Sequence, residues 1–264
     1  MVHLGTSGYS YADWVGPFYP EGTPSRDYLQ HYARLFSAVE VDYTYYRLPE
    51  ARTLAGMARK VGAGFKFALK ATSIITHERQ ATDETFAEYL RALEPLQAEG
   101  KLACVLAQFP FSFHNTQPNR AYLSCLREGL KEVPLVVEFR NVAWINEAIF
   151  DLLRQLRLGF CCVDQPRFRD LVPPVTVATS DWAYVRFHGR NAEQWWEHEQ
   201  AWQRYDYLYT REELAEWVPK VQELASQAKH TAVFFNNHYA GQAVQNALLF
   251  EEMLGEAGVE VARS

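Results

Sequence analysis

The chain has 264 residues, of which 48% are hydrophobic, with 26 basic and 32 acidic side chains. This composition excludes an intrinsically disordered protein. The net charge of −6 argues against a broadly basic nucleic-acid binder, so nucleic acid is a disfavoured partner that only a local basic groove could hold. The apolar runs are shorter than the roughly 20 residues that a bilayer-spanning helix needs, so we expect no membrane segment.

Eight short runs rich in β-formers follow one another along the chain, and each ends in polar residues. They are Val2–Ser7, Ala38–Tyr43, Phe65–Ala71, Leu102–Phe109, Leu135–Arg140, Gly159–Asp164, Ala183–His188 and Thr231–Asn237. Apolar residues with helical spacing lie between most of these runs, around residues 28–36, 86–93 and 122–130. Thr210 and Glu213 have the spacing of a capping box, and a last helix is expected over residues 241–254.

This alternation predicts a single (β/α)8 TIM-barrel domain over residues 1–264. An open doubly wound sheet is the structural alternative, and it should show a glycine-rich turn after its first strand. Gly5-Thr6-Ser7-Gly8 is not a GxGxxG motif, and Pro17 and Pro20 follow too closely for a helix to begin there. The barrel is therefore preferred.

Two units of the barrel are expected to be irregular. Pro166, Pro173 and Pro174 leave little room for a full helix between strands six and seven, which predicts a short or missing sixth helix. A long aromatic-rich loop is expected after strand seven, over residues 189–209. Its rings are predicted either to form a lid over a ligand or to pack on the barrel itself.

Charged residues recur every second position near the ends of several predicted strands. The pairs are Glu40 and Asp42, Lys66 and Lys70, Glu138 and Arg140, and Arg186 and His188. Alternate residues of a strand share a face, so these side chains are predicted to point into the barrel. Burying an ion costs several kcal/mol unless it is paired, so we expect the charges to pair there. Such pairing can be purely structural, and we expect that for Glu40 and Lys66.

The leading functional hypothesis is a metal-free acid–base enzyme, a hydrolase, lyase or isomerase, acting on a small phosphate- or carboxylate-bearing substrate. TIM barrels place function at the C-terminal ends of their strands. Glu138 is the predicted general base, with Lys70 or His188 as general acid. The residues predicted to bind the substrate are Arg140, Arg186, Arg190, Asn236, Asn237, Gln108, Tyr46 and His77. Backbone N–H groups of the loops after strands seven and eight are further candidates for a phosphate.

Two other classes of function stay open. A metal-dependent hydrolase or isomerase, including a phosphoesterase or nuclease acting on nucleic acid, would use Glu40, Asp42, Glu138 and His188 as ligands of a divalent metal. Interior arginines and lysines would repel that cation, so no cofactor is predicted for the leading hypothesis. The third class is a binding module without catalysis, in which the paired interior is structural.

The cysteines and the first residues favour a cytoplasmic protein. Cys104, Cys125, Cys161 and Cys162 form no CxxC pair and no zinc-type spacing, so we expect reduced thiols. No charged and then apolar leader is visible at the start, so a secretory signal is not expected.

Several of these motifs together resemble one known family. They are Gly5-Thr6-Ser7-Gly8-Tyr9-Ser10-Tyr11, Val39-Glu40-Val41-Asp42, Tyr45-Tyr46-Arg47-Leu48-Pro49, Phe65-Lys66-Phe67, Gln108-Phe109-Pro110, Val137-Glu138-Phe139-Arg140, Tyr184-Val185-Arg186-Phe187-His188-Gly189-Arg190 and Phe235-Asn236-Asn237. In this order they are similar to the "domain of unknown function 72" family. The resemblance implies a TIM barrel and a bacterial or archaeal type of cytosolic protein, and it implies no particular reaction. The chain departs from the family at Asp42, where the family usually has asparagine.

Overall fold

The computed structural model describes residues 1–131 and 133–263. Within these ranges, eight parallel strands pair in chain order, and the last pairs with the first to close a barrel. The strands are β1 (Val2–Ser7), β2 (Ala38–Val41), β3 (Lys66–Lys70), β4 (Leu102–Gln108), β5 (Leu135–Glu138), β6 (Leu158–Asp164), β7 (Trp182–Phe187) and β8 (His230–Phe235). The predicted TIM barrel is confirmed.

Helices surround the barrel on its outer face. They are α1 (Tyr28–Tyr32), α2 (Ala51–Ala58), α3 (Ser73–Thr76), α4 (Asp83–Ala98), α5 (Gln117–Gly129), α6 (Glu147–Gln155), α7 (Arg211–Ala215), α8 (Val218–Gln227) and α9 (Gln242–Glu256). Among the described residues, none forms a helix between β6 and β7, where the prolines had predicted a short or missing one. The capping box is present, since the Thr210 hydroxyl accepts a hydrogen bond from the Glu213 amide.

Side chains along β7 alternate between the interior of the barrel and the layer between strands and helices. Phe187 points outward and packs against Trp217 and Phe250, which belong to the helical layer. Arg186 points inward and contacts Glu40 of β2 and Glu138 of β5. The interior thus holds paired ions at the C-terminal end of the strands, and the apolar core lies between strands and helices.

Several strands end earlier than the sequence predicted. β2 ends at Val41, because Asp42 has helical backbone angles and opens a 3-10 turn over Tyr43–Tyr45. The same shortening leaves Arg140, His188 and Asn236 on the loops directly after β5, β7 and β8. These side chains therefore surround the C-terminal mouth of the barrel. Their backbone is no longer part of the hydrogen-bonded sheet, so the side chains need not alternate between the two faces of a strand.

Two further features concern the cysteines and the hydropathy of the helices. The four cysteines are free thiols. Within the described part of the chain, no helix has the length and hydropathy needed to cross a membrane.

Candidate active site

An arginine links two buried carboxylates at the centre of the mouth. Arg186 Nη1 lies 2.7 Å from Glu138 Oε2, and its Nη2 lies 2.6 Å from Glu40 Oε1. All three side chains are buried. Each terminal nitrogen of the guanidinium thus binds a different carboxylate, and burial couples the two ion pairs strongly because little solvent screens them.

Glu138 receives two further partners on its other oxygen. Its Oε1 lies 2.8 Å from Arg140 Nε and 3.2 Å from His188 Nε2. Burial opposes ionisation of Glu138, but Arg140, Arg186 and His188 outweigh it and hold the pKa of this carboxyl well below its usual range. Glu138 is therefore an ionised anchor for two arginines. Its contacts do not favour the general-base role predicted from sequence, since its oxygens already carry charged donors.

The buried His188 ring is neutral and has partners on both nitrogens. Nδ1 lies 3.0 Å from the Asn236 amide nitrogen, which can only donate, so Nε2 carries the hydrogen that points to Glu138. Burial and the charge of Arg140 lower the pKa of His188 to about 3, against the attraction of Glu138. These contacts do not favour the predicted general-acid role, because the ring has no proton to give except the one it donates to Glu138.

Glu40 lies deeper in the barrel than Glu138. Its Oε2 accepts a hydrogen bond of 2.5 Å from the Tyr184 hydroxyl, and Arg186 holds the other oxygen. Burial raises the pKa of Glu40, and Asp42 adds to the effect, while Arg186 opposes it. The position supports the structural role that the sequence suggested for Glu40.

A cavity of about 460 Å³ opens above this network. Its polar lining comes from the ends of five strands or the loops that follow them: Asp42, Lys70, Gln108, Arg186 and Asn236. Rings from the first loop, Tyr9 and Tyr11, and His238 from the last loop form much of the wall. The volume suits a small molecule, since typical ligand pockets measure roughly 300–1,000 Å³.

Three polar atoms of the cavity lining are buried and have no hydrogen-bond partner among the described residues. They are Asp42 Oδ1, Tyr43 Oη and Arg186 Nε. Lys70 adds an ammonium that is 15% exposed and lies 3.9 Å from Asp42 Oδ1, beyond hydrogen-bond distance. An unpartnered buried polar group costs about 1–3 kcal/mol, so a polar ligand that pairs with these atoms would remove that cost.

The aromatic segment after β7 forms the roof of the cavity. Trp195 is buried, with its ring 6.0 Å from the Arg140 guanidinium and 5.4 Å from that of Arg204. Tyr205, at the end of the 3-10 helix Ala201–Tyr205, lines the cavity directly. Some rings of this loop therefore pack on the barrel and Tyr205 faces the cavity, while the lid role stays a prediction.

Several other predicted residues lie around the same mouth. Gln108 accepts a hydrogen bond from Arg186 at 3.1 Å and lines the cavity. Tyr46 lines the rim and is 83% exposed. His77 is half-buried beside Tyr45, and it is not part of the lining. Lys66 lies at the opposite end of β3, where its ammonium binds the Gly100 carbonyl, so it is not part of this site.

Arg190 and Asn237 belong to a different cluster. Arg190 makes a bidentate ion pair with Asp164, at 2.8 Å for each of two bonds, and also binds Glu216. Asn237 binds the backbone oxygen of Tyr207 and the side chain of Asn246. Neither residue lines the cavity, so the geometry gives both a structural role in place of the predicted binding role.

The backbone N–H groups proposed to hold a phosphate are already used. The Gly189 amide donates to the Tyr209 hydroxyl, and the Asn236 amide donates to Phe187 O. At the start of α9, the Ala240 amide donates to Asp13. These three amides are therefore not available to an anion at the mouth.

The four residues considered as metal ligands do not converge on one point. Arg186 lies between Glu40 and Glu138, and His188 directs its Nε2 hydrogen at Glu138. In the described part of the chain, no group of three histidine, cysteine, aspartate or glutamate residues is arranged to hold a metal ion. The donor set lacks a free lone pair from His188, so it does not fit a divalent metal.

The pKa of His188 predicts a pH-dependent stability. The unfolded chain binds a proton at this residue below about pH 6.5, whereas the folded protein does so only near 3. The contribution of His188 to stability is thus present above pH 6.5 and is lost as the pH falls towards 3, at up to about 1.4 kcal/mol per pH unit. We expect His188→Gln to have a shallower pH dependence of the free energy of unfolding, measured in urea between pH 4.5 and 6.5.

His114→Gln is the matched control, because His114 is exposed and lies outside the buried network. It should keep the wild-type slope. Burial also lowers the pKa of His3, to about 4, so the slope of His188→Gln should be reduced and not abolished. An unchanged slope in His188→Gln would show that the imidazole titrates equally in both states.

Fold and site together define a TIM-barrel protein with a buried ion network beneath a small polar cavity. The sequence profile of the family described as "Protein of unknown function DUF72" matches residues 3–264. The chain belongs to this family. It is 31% identical to the "UPF0759 protein YunF" of Bacillus subtilis (strain 168), over 96% of this chain and 95% of that protein.

Solved structures of the same family share the fold. A DUF72 family protein (TM1631) from Thermotoga maritima MSB8 is 42% identical, with a TM-score of 0.89 over 97% of this chain and 99% of that one. A DUF72 family protein (ef0366) from Enterococcus faecalis V583 is 29% identical, with a TM-score of 0.86 over 97% and 96%. The resemblance found from sequence motifs is thereby confirmed.

Proposed function

We propose that the protein is an enzyme that binds a small phosphate- or carboxylate-bearing substrate in the 460 Å³ cavity and transforms it by metal-free acid–base chemistry. The observation that carries this proposal is the set of unpartnered polar groups on the cavity wall, Asp42 Oδ1, Tyr43 Oη and Arg186 Nε, beside the Lys70 ammonium. These groups are dehydrated donors and acceptors that a polar ligand would satisfy.

Lys70 is the residue that contacts the anionic group in this proposal. Among the described residues, its ammonium is held by Asp42 at 3.9 Å and by the Tyr45 ring at 5.0 Å, neither of which is a hydrogen bond, so it is available to a ligand. The same ammonium can return a proton to the product, which is the acid role predicted from sequence. Asp42 would accept a hydrogen bond from a substrate hydroxyl, a role that an asparagine oxygen also fills.

Glu138 and His188 act on the substrate only through Arg186 in this proposal. Glu138 fixes the guanidinium, and His188 fixes the other oxygen of Glu138. A guanidinium held in advance needs no reorganisation when the ligand arrives, and such preorganised charge is a main source of electrostatic stabilisation in enzymes. We therefore assign both residues to positioning.

Anion binding is tested by thermal and urea unfolding with and without 10 mM phosphate. Wild-type protein should gain about 1.4 kcal/mol if this concentration is ten times the dissociation constant. Lys70→Met should lose the gain, because it removes the ammonium from the cavity wall. Lys60→Met is the control, since Lys60 is exposed, binds the Arg26 carbonyl and does not line the cavity. Equal phosphate responses in both variants would reflect general anion exclusion and would contradict the proposed site.

Turnover is tested by proton exchange in D₂O. A panel of small carboxylates and phosphate esters is incubated with the protein, and loss of C–H signals is followed by NMR. Lys70→Met should slow exchange of an active compound by about 10²-fold or more, which is the usual contribution of an acid–base group. Binding of phosphate without exchange of any compound would favour a non-catalytic binding module.

A further inference from the structure

One group on the cavity wall has surroundings unlike those of the other tyrosines of the site. Tyr205 is carried by the roof loop, and its ring lies 6.2 Å from the His188 ring, 6.1 Å from the His238 ring and 6.4 Å from the Trp195 ring. Its hydroxyl, like that of Tyr43, makes no hydrogen bond to any described residue, whereas the Tyr11 hydroxyl donates to Ser7 O. The Tyr205 phenol is therefore placed at the ligand space without a protein acceptor for its proton.

Four cations around the mouth act electrostatically on this phenol. Arg140 comes from the end of β5, Lys70 from β3 and Arg186 from β7, and Arg204 precedes Tyr205 in the loop. The nearby histidines are neutral, since burial lowers the pKa of both His188 and His238.

The carboxylates around the ring are directed to other partners. Glu138 and Glu40 hold arginines, and Asp206 accepts a hydrogen bond from Gln242. Asp42 lies beside Lys70 and Arg186. Burial raises the pKa of the Tyr205 phenol, but the four cations outweigh this effect and lower it below its ordinary value of 10.0.

We propose that Tyr205, whose hydroxyl lines the cavity without a partner among the described residues, is a proton-transfer residue that serves as the base the leading mechanism lacks. The role rests on the proposed function. In the step, the phenolate oxygen forms an O–H bond with a proton taken from a substrate C–H or O–H group. The electron pair of the broken bond stays on the substrate, where Lys70 and Arg186 face the new negative charge.

The class of substrate follows from this arrangement. A base and two cations in the lining of one cavity suit a compound whose acidic proton lies next to a carboxylate or carbonyl, because the charge left on the substrate is then shared with the group that the cations bind. Sugar phosphates and hydroxy or oxo acids of matching size belong to this class.

The experiment follows the titration of tyrosine Cζ resonances by ¹³C NMR, in protein labelled at that carbon and free of phosphate. We expect one resonance to titrate below pH 10 and to be missing in Tyr205→Phe. Tyr9→Phe is the matched control, since Tyr9 lines the same cavity but burial raises its pKa to about 12. Arg204→Gln, which changes only one of the surrounding cations, should move the Tyr205 titration to higher pH.

Adding phosphate distinguishes the proposed role of Tyr205 from the proposed anion binding on which it rests. If phosphate enters the cavity, it should shift the Tyr205 titration to higher pH, because the bound anion offsets the cations. A Tyr205 resonance that titrates at or above pH 10 without phosphate overturns the role of Tyr205 and leaves anion binding intact. A low titration that phosphate does not move supports the phenolate and counts against the anion site. Tyr205→Phe should also retain the thermal stabilisation by phosphate while losing proton exchange of an active compound.

Discussion

Arg186→Met should lower the free energy of unfolding by about 3–5 kcal/mol, the largest stability loss that we expect for any single change in the site. The methionine fills similar space but removes the guanidinium that binds Glu40 at 2.6 Å and Glu138 at 2.7 Å. Glu40 and Glu138 then remain buried as carboxylates without the positive charge of Arg186. Urea unfolding at pH 7 measures the effect.

A surface arginine provides the control for this change. Arg211 makes similarly short ion pairs with Glu252 and Glu256, but all three side chains are exposed. Arg211→Met should therefore cost less than about 1 kcal/mol. Adding Glu40→Gln and Glu138→Gln to Arg186→Met should restore part of the loss, because the uncompensated charges are removed. A loss below 1 kcal/mol for Arg186→Met would mean that the carboxylates are not dependent on this guanidinium.

Arg190→Met is expected to lower the free energy of unfolding by about 3 kcal/mol and to leave the phosphate response unchanged. Asp164 is fully buried and accepts two hydrogen bonds from Arg190, one from Tyr209 and one from Trp217. Without Arg190 the carboxylate keeps two neutral donors and, among the described residues, one nearby cation, the half-exposed Arg167 at 3.6 Å. The same urea and phosphate measurements apply.

The phosphate measurement decides between two roles for Arg190. Arg154→Met is the control for stability, because Arg154 pairs with Glu147 and Asp151 on the exposed surface of α6. If Arg190→Met kept its stability but lost the phosphate response, Arg190 would be a substrate-binding residue, as its position after strand seven suggested. If Arg190→Met lowered the stability but kept the phosphate response, Arg190 would belong to the structural cluster with Asp164.

The fold was readable from the sequence because the relevant signals are local and repeated. Eight β-rich runs separated by helical spacing define a TIM barrel, and three prolines between β6 and β7 account for the missing helix. The inward direction of Arg186 also followed from the alternation along its strand, since that period belongs to the backbone itself. The motifs that carry the family resemblance lie at these same strand ends.

Roles within the site depended on contacts between residues far apart in the chain. Glu138 and Arg190 both lie where barrel enzymes carry functional residues. In the structure, however, Glu138 is surrounded by Arg140, Arg186 and His188. Arg190 is held by Asp164. Tyr205 was one of many rings in an aromatic segment, and only the closed barrel brings Arg140, Lys70 and Arg186 around its phenol. The sequence by itself determined the barrel and the polar character of its mouth, because backbone periodicity is encoded locally. The tertiary structure decided which charges neutralise one another and which face the cavity, because burial and distance set the energy of each charge.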